Sequence, residues 1–184
     1  MEIRTNVLRN SSILVLGATI LAGCGGGSEQ SFVDSLNSFN AGFADRFDLT
    51  GTPEITTFEN LPVGDVSYNG FIFVDQIFEE VVAEADLTAD FGASTISMTT
   101  SNYNVFDGDR ILVRSTSGNL AMNNGVVDED VFGDAFFVGT VTGSADGISY
   151  NNEVAGGFLG PNAEGVVGAD NSLFPEIAFF AEAE

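Results

Sequence analysis

Ala83-Glu84-Ala85-Asp86-Leu87-Thr88-Ala89-Asp90-Phe91 alternates apolar and polar residues without a break. A strand places successive side chains on opposite faces, so Ala83, Ala85, Leu87, Ala89 and Phe91 share one side. Glu84, Asp86, Thr88 and Asp90 share the other. One dry face and one acidic face describe an antiparallel strand with water on one side. The same period recurs outward in both directions. Residues 67–75 set Tyr68, Gly70, Ile72 and Val74 against Phe71 and Phe73. Gly92-Ala93-Ser94 reads as a turn, and residues 95–103 continue with Ile96 and Met98 facing inward. Further strands are predicted at 110–115, 119–123, 135–143, 153–158 and 164–170. The turns between them are Asp107-Gly108-Asp109, Ser117-Gly118-Asn119, Asn124-Gly125, Asp146-Gly147 and Gly160-Pro161-Asn162. Eight strands at this spacing predict a mainly all-β protein, a small eight-stranded antiparallel β-barrel, with a sandwich as the alternative. Gly70, Gly139, Gly156 and Gly157 fall inside strands, as the sharp bends of a small barrel require. Roughly 110 residues of sheet suffice for one core and not for two domains.

Ahead of the strands the period changes. Phe32, Leu36, Phe39, Phe43 and Phe47 step by three or four residues and line one side of a helix. Ser31 is placed as its N-cap with Asp34 at the third helical position, and Gly51-Thr52-Pro53 ends the region. A phenylalanine stripe of this kind predicts a helix packed on its own domain.

The N-terminus carries Arg4 and Arg9 against Glu2, then an apolar run over residues 13–22 broken only by Gly17 and Thr19. A membrane-spanning helix needs roughly 20 apolar residues, so this run is too short to span. A basic segment followed by a short apolar one is the layout of a secretory signal. Leu21-Ala22-Gly23-Cys24 resembles the lipobox of bacterial lipoproteins. That resemblance implies cleavage before Cys24 and acylation of its thiol and new amine. The acyl chains would then tie the protein to a membrane. Cys24 is the only cysteine, so no disulfide, free thiol or cysteine-bound zinc is expected. Gly25 follows it rather than aspartate, which leans toward an outer-membrane location with the side left open. The chain therefore divides into a signal peptide (1–23), the lipidated cysteine and a glycine-rich tether (24–31), a helical and irregular leading segment (32–63), the barrel (64–172) and a C-terminal tail (173–184).

Loss of residues 1–23 leaves three arginines against 26 acids (27 less Glu2), a formal charge of −23 with no lysine or histidine. Nucleic acid is excluded as a partner, because binding it depends on Lys and Arg neutralising phosphates. The acids are spread along the chain, which favours a surface adapted to saline surroundings over a dedicated face for cations or a basic partner.

The stretch Gly139-Thr140-Val141-Thr142-Gly143, followed by Val154 to Gly168 with Gly156-Gly157-Phe158-Leu159-Gly160-Pro161-Asn162-Ala163-Glu164 at its centre, resembles the closing strands of transferrin-binding protein B-like lipoproteins. Tyr68-Asn69-Gly70-Phe71 is similar to that family's first barrel strand. The resemblance covers roughly residues 66–170 and implies an eight-stranded barrel on a surface lipoprotein. It also implies a non-catalytic module that binds a solute or a protein, with a role in iron or haem acquisition. Large members carry two lobes with handle domains, whereas this chain has room for one barrel.

Chemistry is sparse. Without histidine, lysine or free thiol, most general bases and nucleophiles are missing, and no catalytic residue is assigned. No cofactor is expected beyond the covalent lipid on Cys24. Asp107 and Asp109, and the run Asp128-Glu129-Asp130, are the weak candidates for oxygen ligands to calcium. Neither has an EF-hand spacing, and solvated turn acids are the plainer reading. Haem would have to be ligated by Tyr68, Tyr103, Tyr150 or a methionine. Loops of Asn, Gly, Asp and Ser leave solute or protein binding close to the alternative, a structural or adhesive surface lipoprotein. The anchor gives the first prediction. Cys24→Ser should leave the precursor unprocessed and move the protein out of the detergent phase on phase partitioning; a variant retained in detergent removes the lipoprotein reading.

Overall fold

Tyr68, Ile72 and Val74 lie buried in one cluster with Ala83, Ala85, Leu87, Ala89, Ile96 and Met98, on the side that the alternation assigns to them. The structure is a computed structural model that describes residues 27–170 and 176–184. The lipobox with Cys24 lies outside the described residues. Among the described residues nine strands form: β1 Asp65–Asp75, β2 Glu79–Asp90, β3 Thr95–Asp107, β4 Leu112–Ser115, β5 Ala121–Glu129, β6 Ala135–Ala145, β7 Ile148–Leu159, β8 Gly165–Asp170 and β9 Ile177–Ala183. They pair antiparallel in the order β2-β1-β9-β8-β7-β6-β5-β3, and β3 returns to β2. Eight strands thus close a barrel. β4 is a short addition that pairs with the part of β3 beyond the reach of β5.

Three expectations are corrected. The segment read as a C-terminal tail contains β9, which pairs with both β1 and β8. Its Ile177, Phe179 and Ala181 face the core, while Phe180 packs beneath the helix on the outside. With both faces apolar it has no binary alternation, and the strand predicted at 110–115 took its place in the count of eight. Asn124-Gly125 is not a turn. Asn124 has φ +58°, and the β5–β6 register shifts between Met122 and Val126, so the pair forms a bulge inside a longer strand. The helix, α1 Gly27–Arg46, starts four residues before the proposed Ser31 cap, inside the expected tether.

α1 lies on the outside of the barrel. Phe32 meets Phe71 edge-on at 5.7 Å and Phe106 at 6.4 Å, and Phe39, Phe43 and Phe47 follow in a continuous ring contact. Its seat runs from Phe106 and Leu112 on β3 and β4 across Phe71 and Phe180 to Val167 and Leu159 on β8 and β7. Phe32, Leu36, Phe43 and Phe47 are all buried, each contributing about 1.5–3 kcal/mol relative to exposure. The stripe is therefore an intramolecular interface.

The barrel has two distinct ends. At the first, where α1 begins, lie the β1–β2, β3–β4 and β6–β7 connections. At the second lie the β2–β3, β5–β6 and β7–β8 connections. The chain after α1 crosses this second end. Thr56 N–H donates to Phe158 O (2.9 Å), Ala135 N–H donates to Thr56 O (2.8 Å), and Phe58 and Leu61 pack on the core. Tyr68, Phe137, Phe158 and Phe179 fill the interior. They fit because some strand positions carry no side chain. A Cβ on Gly156 would strike the Phe137 ring and the Val167 carbonyl, and one on Gly168 would strike the Phe179 ring. Gly156→Ala should lower stability by about 1–3 kcal/mol in urea denaturation, as overpacking does. Phe158→Asp should abolish cooperative unfolding, because Phe158 is fully buried and an unpaired carboxylate there costs several kcal/mol more. A wild-type urea midpoint in either variant contradicts the inward orientation of β7.

Candidate functional site

A cavity inside the barrel would be the natural place for a solute, yet the large side chains occupy that space. The tyrosines considered for haem are part of the filling or of its margins. The Tyr68 hydroxyl donates to Ala163 O (2.9 Å). Tyr103 receives the Leu120 N–H (2.7 Å) and shares a hydrogen bond with Thr100. Tyr150, half-buried, accepts from Gln76 Nε2 (3.2 Å). Met98 and Met122 are buried in the same core. These residues are not brought together around an open face, so they do not fit an axial haem site.

The acidic turns have local work. Asp107 Oδ1 accepts the N–H groups of Asp109 (3.0 Å) and Ile111 (2.9 Å) and so closes the β3–β4 connection. Asp128 Oδ1 accepts the Glu129 N–H, and Asp130 Oδ1 accepts those of Phe132 (2.7 Å) and Asp134 (3.0 Å). Asp109 remains at an exposed turn. Among the described residues no three carboxylates converge on a point that could hold a metal ion.

The Gly156–Gly168 stretch is architectural. Gly160 (φ +82°) and Ala163 (φ +58°) turn the chain between β7 and β8, where a side chain larger than alanine would crowd the buried site. Thr56 Oγ1 donates to Gly160 O, and Gly160 N–H donates to Glu54 O (2.9 Å). Gly165 lies against the Phe47 ring. The hairpin thereby holds the C-terminal end of α1 and the crossing segment together. A shallow cleft of about 340 Å³ opens beside it, bordered by Arg46, Asp48, Thr52, Glu54, Pro161 and Glu164. Two of its charged groups are engaged: Arg46 is 3.5 Å from Glu182, and Glu164 accepts from Asn162 N and Nδ2. Burial acts to raise the Glu164 carboxyl, but the Asn162 hydrogen bonds, its own backbone N–H and the Arg46 charge outweigh it and hold it below its ordinary value.

Two loop tips each carry a pair of exposed large apolar side chains. Val131 and Phe132, on the β5–β6 hairpin at the second end, are 85% and 57% exposed. The tip that carries them is rigid. Asp130 caps it from within, Gly133 (φ +88°) reverses the chain, and Gly133 O accepts the Phe58 N–H (2.8 Å). Asp128, Glu129, Asp130 and Asp134 surround the two apolar side chains in sequence. The run considered for calcium is thus the acidic rim of an apolar tip. Sequence reading missed this pair, although an apolar pair set between turn acids was the available signal.

In sequence the chain matches no protein-family model and no curated protein. Its structure is similar to that of transferrin-binding protein B. A double mutant of this vaccine antigen from Haemophilus parasuis shares 21% identity at a TM-score of 0.45. A single mutant of the same protein shares 18% at 0.43, and intact Ap-TbpB, with N and C lobes, 19% at 0.45. Each match covers 71% of this chain and 28% of the other. The likeness to transferrin-binding protein B is one of fold. This chain spans little more than a quarter of the length of those proteins.

Burial first, then the Glu164 charge, pushes the Tyr68 hydroxyl well above its ordinary value of 10.0. The folded state therefore keeps the proton that the unfolded chain releases. Its stabilisation is complete below about pH 10 and is lost as pH rises from there toward the folded value. Tyr68→Phe should cost about 1 kcal/mol at neutral pH through the lost hydrogen bond. It should also flatten the decline in stability above about pH 10, followed by urea denaturation across a pH series. An unchanged alkaline slope would remove Tyr68 as its source.

Proposed function

We propose that this chain is a non-catalytic, membrane-anchored module that binds another protein through the β5–β6 tip. The observation that carries the reading is the rigid exposure of Val131 and Phe132 on a barrel whose interior is filled. Rigid apolar anchors lose little conformational freedom on binding, and a few such side chains supply most of an interface's affinity. The acids beside them select a partner whose apolar pocket has a basic border. The overall charge steers such a partner and repels acidic ones. The absence of lysine and histidine from the sequence supports the non-catalytic part of the reading. The lipobox supports the anchor, and Gly25 after it supports an outer-membrane location. A role in iron or haem acquisition rests on the family resemblance, and with this interior it would run through a captured protein rather than a solute inside the barrel.

Photo-crosslinking on intact cells tests the reading. A photoreactive amino acid at position 132 should give one discrete adduct that weakens with added salt. The same group in place of Asp86, exposed on the barrel wall, should give none. Val131→Ser with an unchanged melting temperature should reduce the adduct several-fold. Equal crosslinking from 132 and 86 removes the tip as a recognition surface.

A further inference from the structure

Ile77 and Phe78, at the tip joining β1 to β2, are 90% and 84% exposed. The tip is fixed in place. Gln76 N–H donates to Glu79 O (2.8 Å), Glu79 N–H donates to Gln76 O (3.3 Å), and Gln76 Nε2 reaches Tyr150 across the mouth of the barrel. Behind it, Arg114 bridges Glu79 (2.9 and 3.1 Å) and Asp146 (2.6 Å). Two large apolar side chains are therefore held into solvent at the first end. Val113 and Ile148, about half-exposed, belong to the same end.

The start of α1 is an independent marker of what that end faces. Phe32 is seated on Phe106, the penultimate residue of β3, and shares its cluster with Val82. Only Gly25 and Gly26 separate Cys24 from Gly27, the first helical residue. An extended chain reaches about 3.6 Å per residue, so Cys24 is within about 11 Å of Gly27. The helix adds about 7.5 Å from Gly27 to Phe32 at 1.5 Å per residue. Along β2, Phe78 lies four residues beyond Val82, about 13 Å at strand rise. The start of α1, separated from Cys24 by two residues in sequence, and the hairpin tip thus lie at the same end of the barrel.

We propose that the first end of the barrel faces the bilayer and that Ile77 and Phe78 insert into its interface as a second contact beside the acylated Cys24. The inference rests on the lipoprotein reading. It goes further in fixing an orientation, with the Val131–Phe132 tip directed away from the membrane toward a partner. The hairpin would not find a membrane unaided, because Asp75, Glu79 and Glu80 flank it and anionic lipid repels them. Glu79 is paired with Arg114. The insertion is intramolecular once the anchor is in place, and the high effective concentration of lipid makes two side chains sufficient. Neutral headgroups suit the contact better than anionic ones.

The acylated full-length protein in phosphatidylcholine vesicles provides the test. With Cys24 acylated, Phe78→Cys and Phe132→Cys each carry a single thiol for a nitrobenzoxadiazole label. Emission from position 78 should shift to the blue and be quenched several-fold more by nitroxide lipids than emission from position 132. Position 78 should lose that quenching in Cys24→Ser, with circular dichroism unchanged. Equal quenching at the two positions, or stronger quenching at 132, overturns the proposed orientation. Mass spectrometry of the N-terminal fragment separates the two failures. Absence of the acyl mass overturns the anchor and the proposal with it, whereas acylated protein with both labels in water overturns the proposal alone.

Discussion

The pairing of β9 with β1 on one side and β8 on the other is the contact on which the rest of the structure depends. Without it the sheet has two long edges, β1 and β8, each with a row of unpaired backbone groups open to water or to another chain. With it every barrel strand has two neighbours. The same strand joins the two cores, since Phe179 stacks on Phe137 inside while Phe180 meets Phe43 and Phe73 outside. Closure of the ring and docking of α1 are therefore coupled through seven residues near the C-terminus. The coupling extends to the last residues, where Ala183 N–H donates to Glu164 O and Glu184 N–H to Ser67 O.

Closure of a narrow ring restricts what the protein can do. The interior takes up aromatic side chains at full burial and spares space for them through glycine. The outside is divided in turn. α1 covers one flank with phenylalanines, the crossing segment at 51–64 covers the second end, and Arg114 with its two carboxylates ties the first end. The β1–β2 and β5–β6 tips lie at opposite ends, each with a pair of exposed apolar side chains between acids.

Charge acts on this frame as a cost. All three arginines of the folded part face carboxylates: Arg46 with Glu182, Arg114 with Glu79 and Asp146, and Arg110 in the field of Glu80. The exposed pairs of Arg46 and Arg114 contribute little individually. What they leave is a large excess of negative charge whose self-repulsion salt must screen. Several carboxylates are also committed to backbone N–H groups in turns, as Asp90, Asp107 and Asp130 are. Part of the acidity is thus turn chemistry, and the rest is solvated surface.

Alternation at 67–75 and 83–91 was enough to determine which side chains enter the barrel, because a strand with water on one side must separate polar from apolar residues. The Phe32 to Phe47 spacing likewise determined a helix with a buried face. Asp146-Gly147, both at positive φ, and Gly160-Pro161 determined hairpins because few residues adopt those backbone angles. The lack of histidine and lysine in the sequence removed two of the commonest general bases. Only the tertiary structure decided that Ile177–Ala183 is a strand, since α1 buries its outer face and erases the polar half of the pattern. Tertiary contact also turned Asn124-Gly125 from a turn into a bulge, and made the Tyr68 and Tyr103 hydroxyls structural rather than available. The Ile77–Phe78 and Val131–Phe132 tips could not be told from core residues by type. Whether an apolar side chain is buried or left in water depends on which neighbours the fold brings against it, and that is settled only in three dimensions.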